Sequence, residues 1–186
     1  MPPKCRFTRE QIIQVALELT AEKGIGALTA RSLAQRLGSS AKPIFGLFTN
    51  MEEVQQEVLK AADQRYQAYL QEDMSAGQYP PYKASGMAYI RFAKEEKELF
   101  KLLYMRDRSA EHPPKEAGLS GQLKSLVHNS TGFSGARAGL FHLEMWAYVH
   151  GVAAMLATGF LELDWPLISQ MLTDAYMGLK KRFEEE

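Results

Sequence analysis

The chain has 186 residues, 46% of them hydrophobic and 24% charged, enough for a sizeable core in one large domain or two small ones. Its formal net charge of zero argues on its face against a polyanionic partner, and a single cysteine, Cys5, excludes a disulfide framework and a cysteine-based metal site. The lone thiol, and the lack of an apolar run behind Met1-Pro-Pro-Lys-Cys-Arg6, lead us to expect a reducing, cytoplasmic setting with no secretory signal.

The first element is predicted from Thr8, which with Gln11 three residues on forms a capping-box pattern. Ile12, Val15, Ala16 and Leu19 recur at helical spacing, and Gly24 ends the helix. Thr29 is placed to cap a second helix with an apolar face of Leu33, Ala34 and Leu37, broken by Gly38. Ile44, Phe45 and Phe48 give a third apolar face. Ser39 or Ser40 is expected to cap that helix, and Pro43 falls in its first turn, where a missing N–H costs little. Short helix, glycine turn, short helix is the helix-turn-helix pattern.

Positive charge is in surplus at this end. Residues 1–50 hold Lys4, Arg6, Arg9, Lys23, Arg31, Arg36 and Lys42 against Glu10, Glu18 and Glu22, a surplus of +4 that the rest of the chain cancels. A basic N-terminal quarter on an acidic remainder points to polyanion contact at one end.

Asn50 and Glu53 predict the cap of a long fourth helix, with Val54, Val58, Ala61, Ala62, Tyr66 and Tyr69 along one face to about Asp73. A domain boundary is expected inside it, dividing residues 1–52 from residues 53–186. After a break over Gly77–Tyr82, the stretch Ala84 to Tyr104 reads as two helices separated by the charged knot Lys94–Glu98. Residues 106–118, with His112-Pro-Pro114, read as loop, residues 119–128 as a weaker helix and residues 129–135 as loop. Met145 to Leu161 is nearly all apolar. It falls short of the roughly 20 residues a membrane span needs and contains His150, so a buried core helix beginning near Arg137 is expected. Asp164 caps the last helix, with Pro166 in its first turn and Leu167, Ile168, Met171, Leu172, Ala175, Leu179 and Phe183 following. The expected fold is all-α, with about nine helices.

Behind the capped first helix, Leu28-Thr29-Ala-Arg31-Ser-Leu-Ala34, Leu37-Gly38, Ile44-Phe45-Gly-Leu-Phe48 and Glu52-Glu53-Val54 resemble the DNA-binding domain of the TetR/AcrR transcriptional regulators, over residues 8–55. Trp146-Ala-Tyr-Val-His150-Gly151 resembles the Trp-His-Gly signature of one class of C-terminal domain in that family, and Tyr79-Pro-Pro-Tyr82 is similar to a stretch in its members. The resemblance implies a homodimer whose recognition helix, about residues 40–47, enters the major groove of a palindromic operator in double-stranded DNA. It also implies a larger C-terminal domain that binds a small effector. On that helix Ser39, Ser40, Ala41 and Lys42 present hydroxyls, a methyl group and a cation, with Pro43, Phe45 and Gly46 beside them, and Thr29 and Arg31 would hold a phosphate. Where the family usually has Tyr, His and Lys, this chain has Phe45, Leu47 and Met51, so groups that normally touch phosphates are missing. Lys42, at a position where glycine is common, and Lys4 and Arg6 on the N-terminal arm are the expected compensation. The competing reading is a small-molecule-binding homodimer whose DNA-binding module is degenerate, with Phe45 and Phe48 serving only as core.

In the larger domain Tyr66, Tyr69, Tyr89, Phe92, Phe100, Tyr104, Met105, Trp146 and His150 are the candidates for lining an effector cavity, although at helical spacing each is also a natural core residue. His142 and His150 lie eight residues apart, about 12 Å along one helix, too far to share a metal. His150 reads as a hydrogen-bonded buried histidine or, alternatively, as an effector contact or pH switch. Ala147, Gly151, Ala154 and Thr158 form a strip of small residues. They suit packing against the chain's own last helix; the resemblance instead implies a four-helix dimer interface shared with Leu172, Tyr176 and Leu179. With no Gly-rich phosphate loop and no His-Glu-x-x-His, neither an enzyme nor a cofactor is expected.

Overall fold

A computed structural model describes residues 7–109 and 121–185. Lys4, Cys5, Arg6 and the expected loop around His112 lie outside the described residues, as does the beginning of the helix expected from Leu119. Among the described residues there are nine α-helices and no strand: α1 (Arg9–Lys23), α2 (Ala30–Arg36), α3 (Lys42–Phe45), α4 (Met51–Ser75), α5 (Pro81–Glu95), α6 (Lys97–Tyr104), α7 (Gly121–Thr131), α8 (Gly135–Ala157) and α9 (Trp165–Glu184), with one 3₁₀ turn, Ile25–Ala27, after α1. None of these helices is long and apolar enough to cross a membrane.

Local chemistry sets most of the boundaries. The Thr8 hydroxyl accepts from the Gln11 amide while the Gln11 side chain accepts from the Thr8 amide, a closed capping box, and Gly24 stops α1 at φ +77°. Asn50 Oδ1 accepts from the Glu53 amide at 2.9 Å, but the Glu53 carboxylate reaches past Asn50 to the Thr49 amide at 2.7 Å. Asp164 caps α9 through the Leu167 amide at 2.8 Å, with Pro166 in the first turn.

Three boundaries differ from the sequence reading. The residue before α3 is Ala41, already in the right-handed helical region, so neither Ser39 nor Ser40 caps it; Ser39 Oγ donates to the Ser40 carbonyl instead. Helix α5 begins at Pro81, three residues before Ala84, because a proline in the first turn forfeits no internal hydrogen bond. Helix α7 runs through Asn129 to Thr131, where the Gly132 amide closes on the His128 carbonyl at 2.7 Å and Gly132 takes φ +78°.

The chain forms two compact units that do not follow chain order: one reaches to Gln67 and also takes in Glu96–Arg106, and the other comprises Ala68–Glu95 and the chain from Asp107 onward. In the first, Ile12, Ala16, Leu33, Ile44, Val54 and Val58 are fully buried. Helix α6 packs on α1. Gly24 lies against it closely enough that a Cβ would sit 2.8 Å from the Glu98 carboxylate. Arg65 on α4 ties Glu18 of α1 to Glu96, 3.2 Å away, just before α6.

In the second unit α5 packs on α7, α8 and α9. Helix α8 buries Ala138, Phe141, Met145, Val149, Val152, Ala153 and Leu156, the three- and four-residue steps of one helical face. Phe141 packs edge-on against Phe183 of α9, centroids 5.6 Å apart, with Phe133 at 5.6 Å. At Gly86 a Cβ would come within 3.2 Å of Leu172 on α9 and 3.5 Å of Val149 on α8, so the absence of a side chain permits that close approach.

Candidate nucleic-acid interface

Helices α2 and α3 belong wholly to the first unit. Thr29 caps α2 by accepting from the Ser32 amide at 3.1 Å, and Ser32 in turn accepts from the Thr29 amide at 2.9 Å and donates to the Ala27 carbonyl at 2.7 Å. The cap leaves Thr29 and Arg31 exposed on the first turn of the helix. The α-helical segment of α3 is only four residues long, but turns on either side continue its hydrogen bonding, from Ile44 N to the Ala41 carbonyl (3.1 Å) through Phe48 N to the Ile44 carbonyl (2.9 Å).

Over that stretch the helical period sorts the side chains cleanly. Ile44 and Phe48, four residues apart, point into the core at 0% and 2% exposure. Lys42, Phe45, Gly46 and Thr49 fall on the opposite face, and all four are exposed. The sequence grouped Phe45 with Ile44 and Phe48, but only the latter two are core; the Phe45 ring is 49% exposed. Among the described residues neither Arg31 nor Lys42 has an ion-pair partner, so both cations are available to an external anion. Arg9 and Arg36 are not. Arg36 is bound to Glu22, which holds that carboxyl below its ordinary pKa, and Arg9 donates to Glu53 at 2.8 Å.

Arg9 is the residue that sequence reading missed. Its guanidinium also donates to the Leu47 carbonyl at 2.9 Å and lies over the Phe48 ring at 4.3 Å, so one side chain from the first turn of α1 fixes the end of α3. The Thr49 amide and then Arg9 hold the Glu53 carboxyl below the usual carboxylate range. The pairing spans 38 to 44 positions in sequence, and no local spacing rule would have nominated it.

The effector candidates divide between the units. In the first, Tyr66 meets Tyr104 edge-on at 5.9 Å and Phe100 lies 5.2 Å from Tyr104, with Met105 exposed. Burial pushes the Tyr66 hydroxyl up to about 12. In the second, Tyr69 packs on Phe92 at 5.4 Å, Tyr89 OH shares a hydrogen bond with His150 Nδ1 at 2.9 Å, and Trp146 stacks on the His150 ring at 5.3 Å. A parallel pair, Tyr82 OH and His142 Nδ1 at 3.0 Å, also joins α5 to α8. Burial lowers the pKa of both histidines. No group of His, Cys, Asp and Glu among the described residues could hold a metal ion.

Of the small-residue strip, Ala147 and Thr158 are exposed and Gly151 and Ala154 half-buried, flanked on α8 by exposed Leu140, Leu143 and Tyr148. Leu172, expected at a dimer interface, is instead buried within the chain, where it fills the space at Gly86, and Tyr176 donates to the Ser130 carbonyl at 2.8 Å. Leu179 is half-buried.

A family model described as "Bacterial regulatory proteins, tetR family" matches residues 12–58, and one described as "Tetracyclin repressor-like, C-terminal domain" matches residues 82–176. Among solved structures the chain is similar to a protein with unknown function from Rhodococcus sp. RHA1, at 21% identity and a TM-score of 0.64 over 96% of each chain. That likeness is one of fold. No curated protein matches the chain.

Proposed function

Because the chain belongs to the TetR family, and so is a DNA-binding transcriptional regulator, we propose that it acts as a repressor, binding a palindromic operator as a homodimer and released by a small-molecule effector. The observation that carries the reading is the helix-turn-helix of α2 and α3, whose exposed face holds two cations, Arg31 and Lys42, with no protein partner among the described residues. Unpaired cations on a recognition element neutralise phosphates and set the register, while neighbouring side chains meet base edges.

Residues 1–52 read DNA in this proposal, and residues 53–186 carry effector and dimer contacts. The exposed Leu140, Leu143 and Ala147 of α8, with half-buried Gly151 beside them, support a two-fold interface there, joined by Tyr176 and Leu179 on α9. Effector binding to the aromatic side chains of the second unit, Tyr69, Tyr89, Phe92 and Trp146, then favours a dimer geometry whose recognition helices no longer match the half-site spacing. The Tyr89–His150–Trp146 group supplies the polar handle among those aromatics.

Selection of binding sites from random duplex DNA with the intact protein tests the reading. The expected result is an enriched palindrome bound with strong salt dependence. A dimer that enriches no sequence supports the competing proposal of a ligand-binding homodimer with a degenerate DNA module.

A further inference from the structure

We propose that Phe45 reads the 5-methyl group of a thymine in each operator half-site, so that this protein takes part of its sequence specificity from an apolar contact. The inference rests on the operator reading above and concerns what its recognition helix recognises.

Three observations on the first unit carry it. Phe45 lies on the outward face of the α3 turn, at Lys42, Phe45, Gly46 and Thr49, while Ile44 and Phe48 alone fill the core beneath. Its ring is 49% exposed, against 0% and 2% for Ile44 and Phe48. It also lacks a hydroxyl, so it cannot bond a phosphate.

Gly46, next to it on the same face, is not required by the fold. Its φ is −79°, and an added Cβ would meet only its own turn's carbonyls, Lys42 O and Pro43 O, at an ordinary 3.5 Å. A glycine that packing does not demand leaves a bare patch beside the ring, open to the close approach of a flat surface. Exposed Lys42, one turn earlier, supplies a cation for the flanking phosphate.

In the major groove, thymine is distinguished by its C5 methyl, the one apolar group on any base edge there, and apolar side chains are its partners. An aromatic ring beside a glycine on the outward face of a recognition helix matches that group.

The test uses the full-length protein and the operator obtained by selection. Each thymine of one half-site is replaced singly by deoxyuridine, which deletes the methyl and keeps the pairing. At one thymine the affinity of the parent should fall about fourfold, the worth of one buried methyl. With Phe45→Ala the same replacement should make no difference, because the partner is gone. Phe45 is solvent-facing, so the variant keeps its fold, and helicity by circular dichroism checks this. Phe45→Leu, which keeps an apolar contact, should keep part of the methyl dependence. Neutral replacement at every thymine with the parent, or an equal loss in Phe45→Ala, overturns the inference and leaves the operator reading standing. Failure to enrich any operator overturns both.

Discussion

Lys42→Ala is the substitution that tests whether α3 faces the phosphates. Five cations lie in the described part of the basic quarter, and two of them, Arg9 and Arg36, are held by carboxylates. Lys42 and Arg31 are exposed and unpaired, so each is expected to displace one counterion from DNA. The logarithmic salt slope changes by about 0.9 per phosphate contact in B-DNA. In the proposed dimer the substitution removes two contacts, one per half-site, and flattens the slope by about 1.8. Between about 50 and 200 mM salt, that difference changes the ratio of parent to variant affinity about 12-fold. Fluorescence anisotropy on a labelled operator at four salt concentrations measures it directly. Arg36→Gln is the control, because its guanidinium is already bound to Glu22 at 2.9 Å and its loss should leave the slope where it was. A Lys42→Ala protein with the parent's slope would refute the placement of this face against DNA.

Gly151→Arg should convert the protein to a monomer by sedimentation while leaving it folded, since a Cβ there meets nothing within 4 Å inside the subunit; an unchanged dimer places the interface elsewhere. Ile44→Ala empties a fully buried site beneath the recognition helix and should cost about 2 to 5 kcal/mol in urea unfolding; a cost near zero would mean that this core is not packed as described. Burial lowers the His142 pKa in the folded chain, so below about 6.5 the unfolded state binds more protons than the folded one. Stability is therefore complete above that pH and declines as pH falls, by at most about 1.4 kcal/mol per pH unit for this one group. His142→Asn should flatten the decline between about pH 6.5 and 5.5, and equal slopes in the two proteins would rule out the assigned cause.

What the sequence made legible was local. Thr8, Thr29, Asn50 and Asp164 each accept from an amide three residues on, so the cap and its partner are adjacent in the text as well as in space. The two helices that meet at Glu96, inside the charged knot, and the long apolar α8 follow from periodicity in the same way. What remained hidden depends on distant pairings. Nothing near Arg9 announces Leu47 and Glu53 as its partners, and nothing near Leu99 and Phe100 announces that α6 joins the unit built on α1. The Tyr82–His142 and Tyr89–His150 pairs are set seven residues apart on one helix and eight on the other, a match visible only once α5 lies beside α8. Phe45 is a different case. The steps 42, 45, 46, 49 were there to be counted, but four apolar residues in five positions drew the ring into the core face.

The sorting of α3 into inward and outward positions has a consequence for how such a protein changes over time. Ile44 and Phe48 hold the turn in place with no part exposed to a ligand, and Arg9 fastens its end from another helix. Lys42, Phe45, Gly46 and Thr49 can therefore be exchanged almost freely without unfolding anything. With that face reading DNA as proposed, stability and target choice are written on separate letters of one short word, and a lineage can change its binding site by single steps that leave the core beneath intact.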